Sequence, residues 1–256
     1  MHTSSGGVTC YPQPGKRKAL DVCEAFAAGV RACGGQATVA REIPDRLLPG
    51  DAVFYGVRPA WKHLWDQAVA KGRTRWYIDN GYFQRPPPDR ADSGYFRVCR
   101  NAVQAAQGAA NYERLAALNV EIKPLRDHGP GLVILALQSD EFMRLWTMDS
   151  DRSMEEYVRR FYAGSEIIIR RKGDQPPLAD LLARAEAVVG WASNALVEAV
   201  LAGVAVDVFG ESVAKEFDYP PRDWGDRQEW AARLAGSQWT AEELARGMAW
   251  QALAHA

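Results

Sequence analysis

The stretch Ala187-Val188-Val189-Gly190-Trp191-Ala192-Ser193-Asn194-Ala195-Leu196-Val197-Glu198-Ala199-Val200-Leu201-Ala202-Gly203-Val204-Ala205-Val206-Asp207-Val208-Phe209 decides how the rest of the chain is read. It spells a strand, a tight turn, a short helix and a second strand. The apolar run 187–189 stops at Gly190. Ser193 or Asn194 then caps a helix whose apolar positions Leu196, Val197, Val200 and Leu201 recur at helical spacing. Gly203 stands where a helix C-cap wants positive φ, and the β-branched run 204–209 suits a buried parallel strand. In such a unit the helix start aims its unpaired N–H groups at the crevice above the strand ends, a ready anion site. Glu198, about one turn along, is placed to reach a sugar hydroxyl beside that anion. The stretch therefore reads as a nucleotide-diphosphate pocket, with an ordinary αβ packing unit as the plain alternative.

The same half carries a second phosphate signal. Residues 132–137 form a continuous apolar run, as a central parallel strand does. Ser153 predicts a cap for a helix over 154–162, and 166–169 is a strand that runs into Arg170-Arg171-Lys172-Gly173. Side chains alternate along a strand, so Arg170 and Lys172 share a side at its carboxyl end. Two cations there offset the charge of a departing nucleotide diphosphate; the alternative is a solvated basic turn. A helix over 177–185, a Pro- and Asp-rich loop over 218–226 and a final helix over 241–254 complete this half.

In the first half, strands over 8–11, 37–43, 51–57 and 75–79 alternate with helices over 16–33 and from Pro59 onward, which predicts a parallel sheet. Asp79 ends the fourth strand. A carboxylate there can take the proton of an attacking hydroxyl as general base, or it can merely cap the Asn80-Gly81 turn. From Asn80 to Gln107 the alternation breaks. Tyr82, Phe83, Tyr95 and Phe96 mix with Arg85, Arg90, Arg97 and Arg100, more a binding surface than a spacer. If the chain is helical from Phe96, then Arg97, Asn101 and Gln104 share a face able to hold phosphates and read base edges. A hydrogen-bonded interdomain helix is the alternative. Asn80, Tyr82, Phe83, Arg85, Arg97, Arg100, Asn101 and Gln104 are thus the candidate acceptor-binding set.

The 256 residues are 47% hydrophobic and 25% charged, ordinary for a globular chain. No transmembrane run or signal peptide is legible, and the expectation is a cytoplasmic protein. Cys10, Cys23, Cys33 and Cys99 lack metal-site spacing and read as reduced, buried thiols. The net charge of −1 is unevenly spread: residues 1–128 hold 18 Lys and Arg against 12 Asp and Glu, whereas 129–256 hold 13 against 20. A basic half is suited to a polyanion.

The string Ser193-Asn194-x-x-x-Glu198-Ala199-x-x-Ala202-Gly203-Val204 resembles the donor-binding helix of GT-B glycosyltransferases. Together with Tyr77-Ile78-Asp79-Asn80-Gly81-Tyr82-Phe83, Phe96-Arg97-Val98-x-Arg100-Asn101-x-x-Gln104, Arg170-x-Lys172 and 234–243, the chain resembles small phage-type proteins that modify hydroxymethylated pyrimidines in DNA. Gln84 and Ala205 stand where that resemblance leads one to expect glycine and proline. The resemblance implies two Rossmann-like α/β domains facing a cleft. An acceptor domain would span 1–128 and a donor domain 129–240, with the helix 241–256 packed back on the first. It implies transfer of a hexose from a UDP-sugar to the hydroxyl of 5-hydroxymethylcytosine or 5-hydroxymethyluracil in double-stranded DNA. Asp79 would be the base of an inverting reaction, and Arg170, Lys172, Ser193, Asn194 and Glu198 would hold the donor. No metal ligands are expected, Mg²⁺ would be dispensable, and the protein would act as a monomer. A transferase acting on a glycan or small metabolite and a non-catalytic binding module are the other two readings.

Overall fold

The computed structural model describes residues 7–56, 58–126, 131–146, 151–218 and 226–254. It divides into two compact units, one running up to Leu118 and resuming at Ala231, the other from Asn119 to Trp230.

The first unit opens with β1 (Val8–Tyr11), α1 (Arg17–Ala32), β2 (Ala37–Val39), β3 (Asp51–Tyr55), α2 (Lys62–Ala70) and β4 (Arg75–Asn80). These four strands pair in parallel, as the alternation of strand and helix demands. Next comes β5 (Phe96–Arg100), which pairs antiparallel to β4, and then α3 (Tyr112–Ala117). The helix expected from Phe96 is therefore a strand. Aromatic and β-branched residues fit a strand buried on both faces, and Phe96, Arg97, Val98 and Cys99 are all buried. The strand ends at Asn101, whose φ of 59° turns the chain. The core is aromatic: Phe54 lies 4.7 Å from the ring of Trp61 and 5.4 Å from those of Tyr11 and Trp65. Gln84 has φ 43°, the left-handed region in which glycine alone is free of strain.

The second unit contains β6 (Leu132–Ala136), α4 (Asp140–Trp146), α5 (Asp151–Phe161), β7 (Glu166–Arg170), α6 (Leu178–Leu182), β8 (Ala185–Gly190), α7 (Asn194–Leu201) and β9 (Ala205–Val208). Its four-stranded sheet is parallel throughout, in the order β7-β6-β8-β9. Every residue of β6 is buried, which explains its unbroken apolar run; burying each such aliphatic side chain stabilises by about 1.5–3 kcal/mol. Ser153 lies inside α5 rather than capping it. Residues 119–126, expected to belong to the first half, bond within this unit: the Lys123 N–H donates to the Leu201 carbonyl at 2.8 Å. Gly203, with φ 72°, lets that segment approach, since a Cβ there would meet the Pro124 oxygen at 2.1 Å.

A helix with no counterpart in the sequence reading, α8 (Arg227–Gly236), follows the loop expected over 218–226, of which 219–225 lie outside the described residues. The chain then returns to the first unit through β10 (Gln238–Trp239), α9 (Ala241–Ala245) and α10 (Met248–Leu253). β10 closes the first sheet beside β5, giving the order β10-β5-β4-β3-β1-β2. The single helix expected over 241–254 is broken at Gly247, whose φ is 81°. α9 packs directly on α1, where a Cβ on Gly29 would lie 1.9 Å from the Leu244 oxygen.

Candidate functional site

In the second unit, Ala136 pairs with Arg170 of β7 on one side and Gly190 of β8 on the other. Three strand ends therefore lie level, and a strand spacing of about 4.8 Å separates Arg170 from Gly190 by about 10 Å. Beyond Gly190 the chain turns through Trp191 and Ala192. Ala192 has φ 44°, a conformation that costs a non-glycine residue about 1–3 kcal/mol and clusters at functional sites. The turn delivers Ser193 as the N-cap of α7, its Oγ accepting the Ala195 N–H at 3.2 Å. Ser193 and Asn194 are half-buried at the start of this helix, where the dipole favours an anion. Gln138 Nε2 donates to the Trp191 carbonyl at 2.9 Å and ties the turn to the end of β6. The Trp191 indole packs 4.9 Å from the Phe142 ring and against Gly210, where any Cβ would strike it.

The basic turn sits at the same edge. The Arg170 guanidinium donates to the Pro176 carbonyl at 2.5 Å, while Arg171 reaches Asp140 Oδ1 at 3.2 Å. Lys172 is exposed. Glu198 is not gathered to this edge. It lines an apolar groove of about 570 Å³ with Lys123, Leu125 and Arg126, together with Leu182 and Ala183 at the amino end of β8. Sequence spacing gave its distance along α7 but not the face it takes, which the packed 121–126 segment decides.

A partly buried polar cluster that sequence reasoning missed is built on Asp207 of β9. Tyr157 and Tyr162 donate to Asp207 Oδ2 at 3.0 and 3.4 Å. Burial pushes the Asp207 carboxyl above its ordinary range, against the lowering effect of the Tyr157 hydrogen bond. Burial and the neighbouring Asp207 push the Tyr157 hydroxyl up to about 12.

In the first unit, Asp79, Arg97 and Gln238 form one row across β4, β5 and β10. Arg97 donates to Asp79 Oδ2 at 3.0 Å and to the Asn80 carbonyl at 3.0 Å. The Tyr77 hydroxyl donates to the same carboxylate at 3.2 Å, and the Asn80 N–H to Oδ1 at 2.7 Å. Burial works most strongly against the Arg97 charge, but Asp79 together with Tyr82, Tyr77 and Cys99 outweighs it and holds the guanidinium above its ordinary range. Burial, reinforced by Asp79, also pushes the Tyr77 hydroxyl well up. Lys18, itself buried, donates to Asn80 Oδ1 at 3.0 Å. Its only signal in the sequence is a cation in the first turn of a helix, where the dipole disfavours it.

The candidate acceptor residues divide. Asn80 and Arg97 adjoin Asp79. Tyr82 and Phe83 are buried, their N–H groups donating to Gln238 Oε1 at 2.8 and 3.0 Å, so neither ring lies open for stacking. Arg85 is exposed and Gln104 is buried. Arg100 pairs with Trp76 at the opposite end of β4, and Asn101 Oδ1 accepts the Arg75 N–H at 3.0 Å. Four residues of strand set Asn101 about 13 Å from Arg97. Cys10, Cys23 and Cys99 are buried free thiols and Cys33 is half-buried. Among the described residues no three His, Cys, Asp or Glu side chains cluster as a metal site, and no helix is long and apolar enough to cross a membrane.

No family model and no curated protein sequence matches the chain. Among solved structures, the β-Kdo 2,7 transferase of KpsC from Thermosulfurimonas dismutans matches with a TM-score of 0.51 at 11% identity, over 96% of this chain and 99% of that one. The β-Kdo 2,4 transferase of KpsC from the same organism matches with a TM-score of 0.47 at 14% identity, over 92% and 91%. The first likeness runs through both units, and the fold is accordingly the Rossmann-like α/β fold of a glycosyltransferase structure.

Proposed function

We propose that this protein is a glycosyltransferase that moves a sugar from a nucleotide-activated donor to a hydroxyl of a glycan. The observation that carries the reading is the Ser193-capped start of α7, level with the basic end of β7 on the carboxyl edge of a parallel sheet. In open α/β sheets that edge is where ligands bind. The N–H groups of α7 would receive the donor phosphates, with the exposed Lys172 adding charge. Arg170 donates one N–H to the Pro176 carbonyl and keeps its charge and its other donors for the same edge.

Asp79 is the proposed base. Its carboxylate has about four lone-pair sites, and Arg97, Tyr77 and Asn80 fill three. One is left for an acceptor hydroxyl. That hydroxyl would give Asp79 its proton as its oxygen attacks the anomeric carbon, and the bond from that carbon to the phosphate oxygen would break. The electron pair would leave with the nucleotide.

A glycan acceptor is supported by the likeness to a Kdo transferase. The finer reading, a UDP-hexose donor and hydroxymethylated DNA, keeps Arg85 and the basic character of residues 1–128 as support. It loses the aromatic platform, because Tyr82 and Phe83 are buried. The test is to incubate the protein with a panel of nucleotide sugars plus glycan or hydroxymethylated duplex DNA, with and without chelator. Products are weighed by mass spectrometry. Glycan product that persists with chelator is expected; DNA product would overturn the acceptor assignment, and no transfer or donor hydrolysis with any pair would overturn the enzyme.

A further inference from the structure

The five residues Glu166-Ile167-Ile168-Ile169-Arg170 form β7, an edge of the second unit's sheet, hydrogen-bonded, among the described residues, to a strand on one side only. The Glu166 N–H donates to the Gly131 carbonyl and the Arg170 carbonyl accepts from Leu137. In a parallel ladder alternate residues bond inward, so Ile167 and Ile169 direct their N–H and C=O groups outward. Between its charged ends the strand has three consecutive β-branched residues, no proline and no bulge toward β6. Ile169 is 36% exposed.

The strand is also complementary to itself. Paired antiparallel about Ile168, two copies set Ile167 opposite Ile169 in both halves, and these are the residues with outward backbone groups. Four N–H···O=C bonds form across the twofold. Glu166 of each copy then falls opposite Arg170 of the other, in the closer, non-hydrogen-bonded positions. The side chains of both are exposed or half-buried, with local partners at the rim, Arg184 for Glu166 and the Pro176 carbonyl for Arg170.

We propose that β7 is a homodimer interface in which a second copy of this chain adds its β7 antiparallel, joining two four-stranded sheets into one of eight. The inference stands apart from the sugar-transfer reading and replaces the monomer expected from the sequence.

The test is sedimentation equilibrium of the full chain over a concentration series. The wild type should form a dimer. Glu166→Arg and Arg170→Glu each set like charges opposite one another twice per dimer, and each should weaken association about tenfold or more. The double variant Glu166→Arg/Arg170→Glu restores opposite charges in the same register and should recover association to within about threefold of wild type. Circular dichroism verifies that each variant is folded. A wild type that stays monomeric at millimolar concentration, or a dimer indifferent to the single swaps, overturns the interface; weakening without recovery in the double variant overturns the register.

Discussion

The two units carry the same kind of sheet edge and use it differently. At the edge of the first, the polar groups are interlinked: Arg97 holds Asp79, Lys18 holds Asn80, and Gln238 holds the backbone of Tyr82 and Phe83, while Arg97 Nε and Gln238 Nε2 are buried without a hydrogen bond. At the edge of the second, the turn after β8 is strained at Ala192 and leads into a helix start, and Lys172, just past the end of β7, is exposed. An interlinked edge is a rigid support for one carboxylate. A helix start favours an anion through its dipole. On the proposed reading, the base belongs to the first unit and the donor phosphates to the second.

The largest effect should come from breaking the closed edge. Arg97→Leu leaves the Asp79 carboxylate and the Tyr77 hydroxyl without their cation and should destabilise the protein by about 3 kcal/mol, read from chemical denaturation. A change below about 0.5 kcal/mol would show the pair to be ornamental. Asp79→Asn keeps the shape and should lower turnover roughly 10²-fold while donor affinity holds; a normal rate would remove Asp79 as base.

Ser193→Ala should cost about 1 kcal/mol of stability by removing the cap, visible in thermal melts. Glu198→Gln should alter donor affinity by less than about twofold, since its side chain faces the 121–126 groove. A loss of tenfold or more in a donor titration would return Glu198 to the site.

A further small effect is in pH. Asp207 titrates above its unfolded value because it is buried, so its protonated form favours the fold. Its contribution is fully present below the unfolded pKa and is lost as pH rises through the raised one. Asp207→Asn should therefore flatten the stability profile on the acidic side of neutrality, with a gain of about 1 kcal/mol or less at pH 7. An unchanged profile would contradict the assignment.

Much of the fold was legible because its signals are local. The unbroken run 132–136 has to be a buried strand, and Gly203 has to follow a helix. The candidate site was half legible. Ser193 and the basic end of β7 could be placed by counting from a strand end, and Asp79 likewise. Arg97, Asn101 and Gln104 could not, because a spacing that fits one helix face also occurs along a strand that turns at Asn101. Which face Glu198 shows, and that Gln238 anchors the Tyr82 turn, depend on segments far away in sequence. No local period records such contacts.

The most direct test of the account is a calorimetric titration of nucleoside diphosphates into the wild type and Ser193→Asp. Aspartate caps a helix as well as serine does, so the fold and its melting point should be kept, while its charge repels phosphate at the start of α7. The account predicts saturable binding to the wild type, weakened at least about tenfold in the variant. Equal binding by both proteins would contradict it.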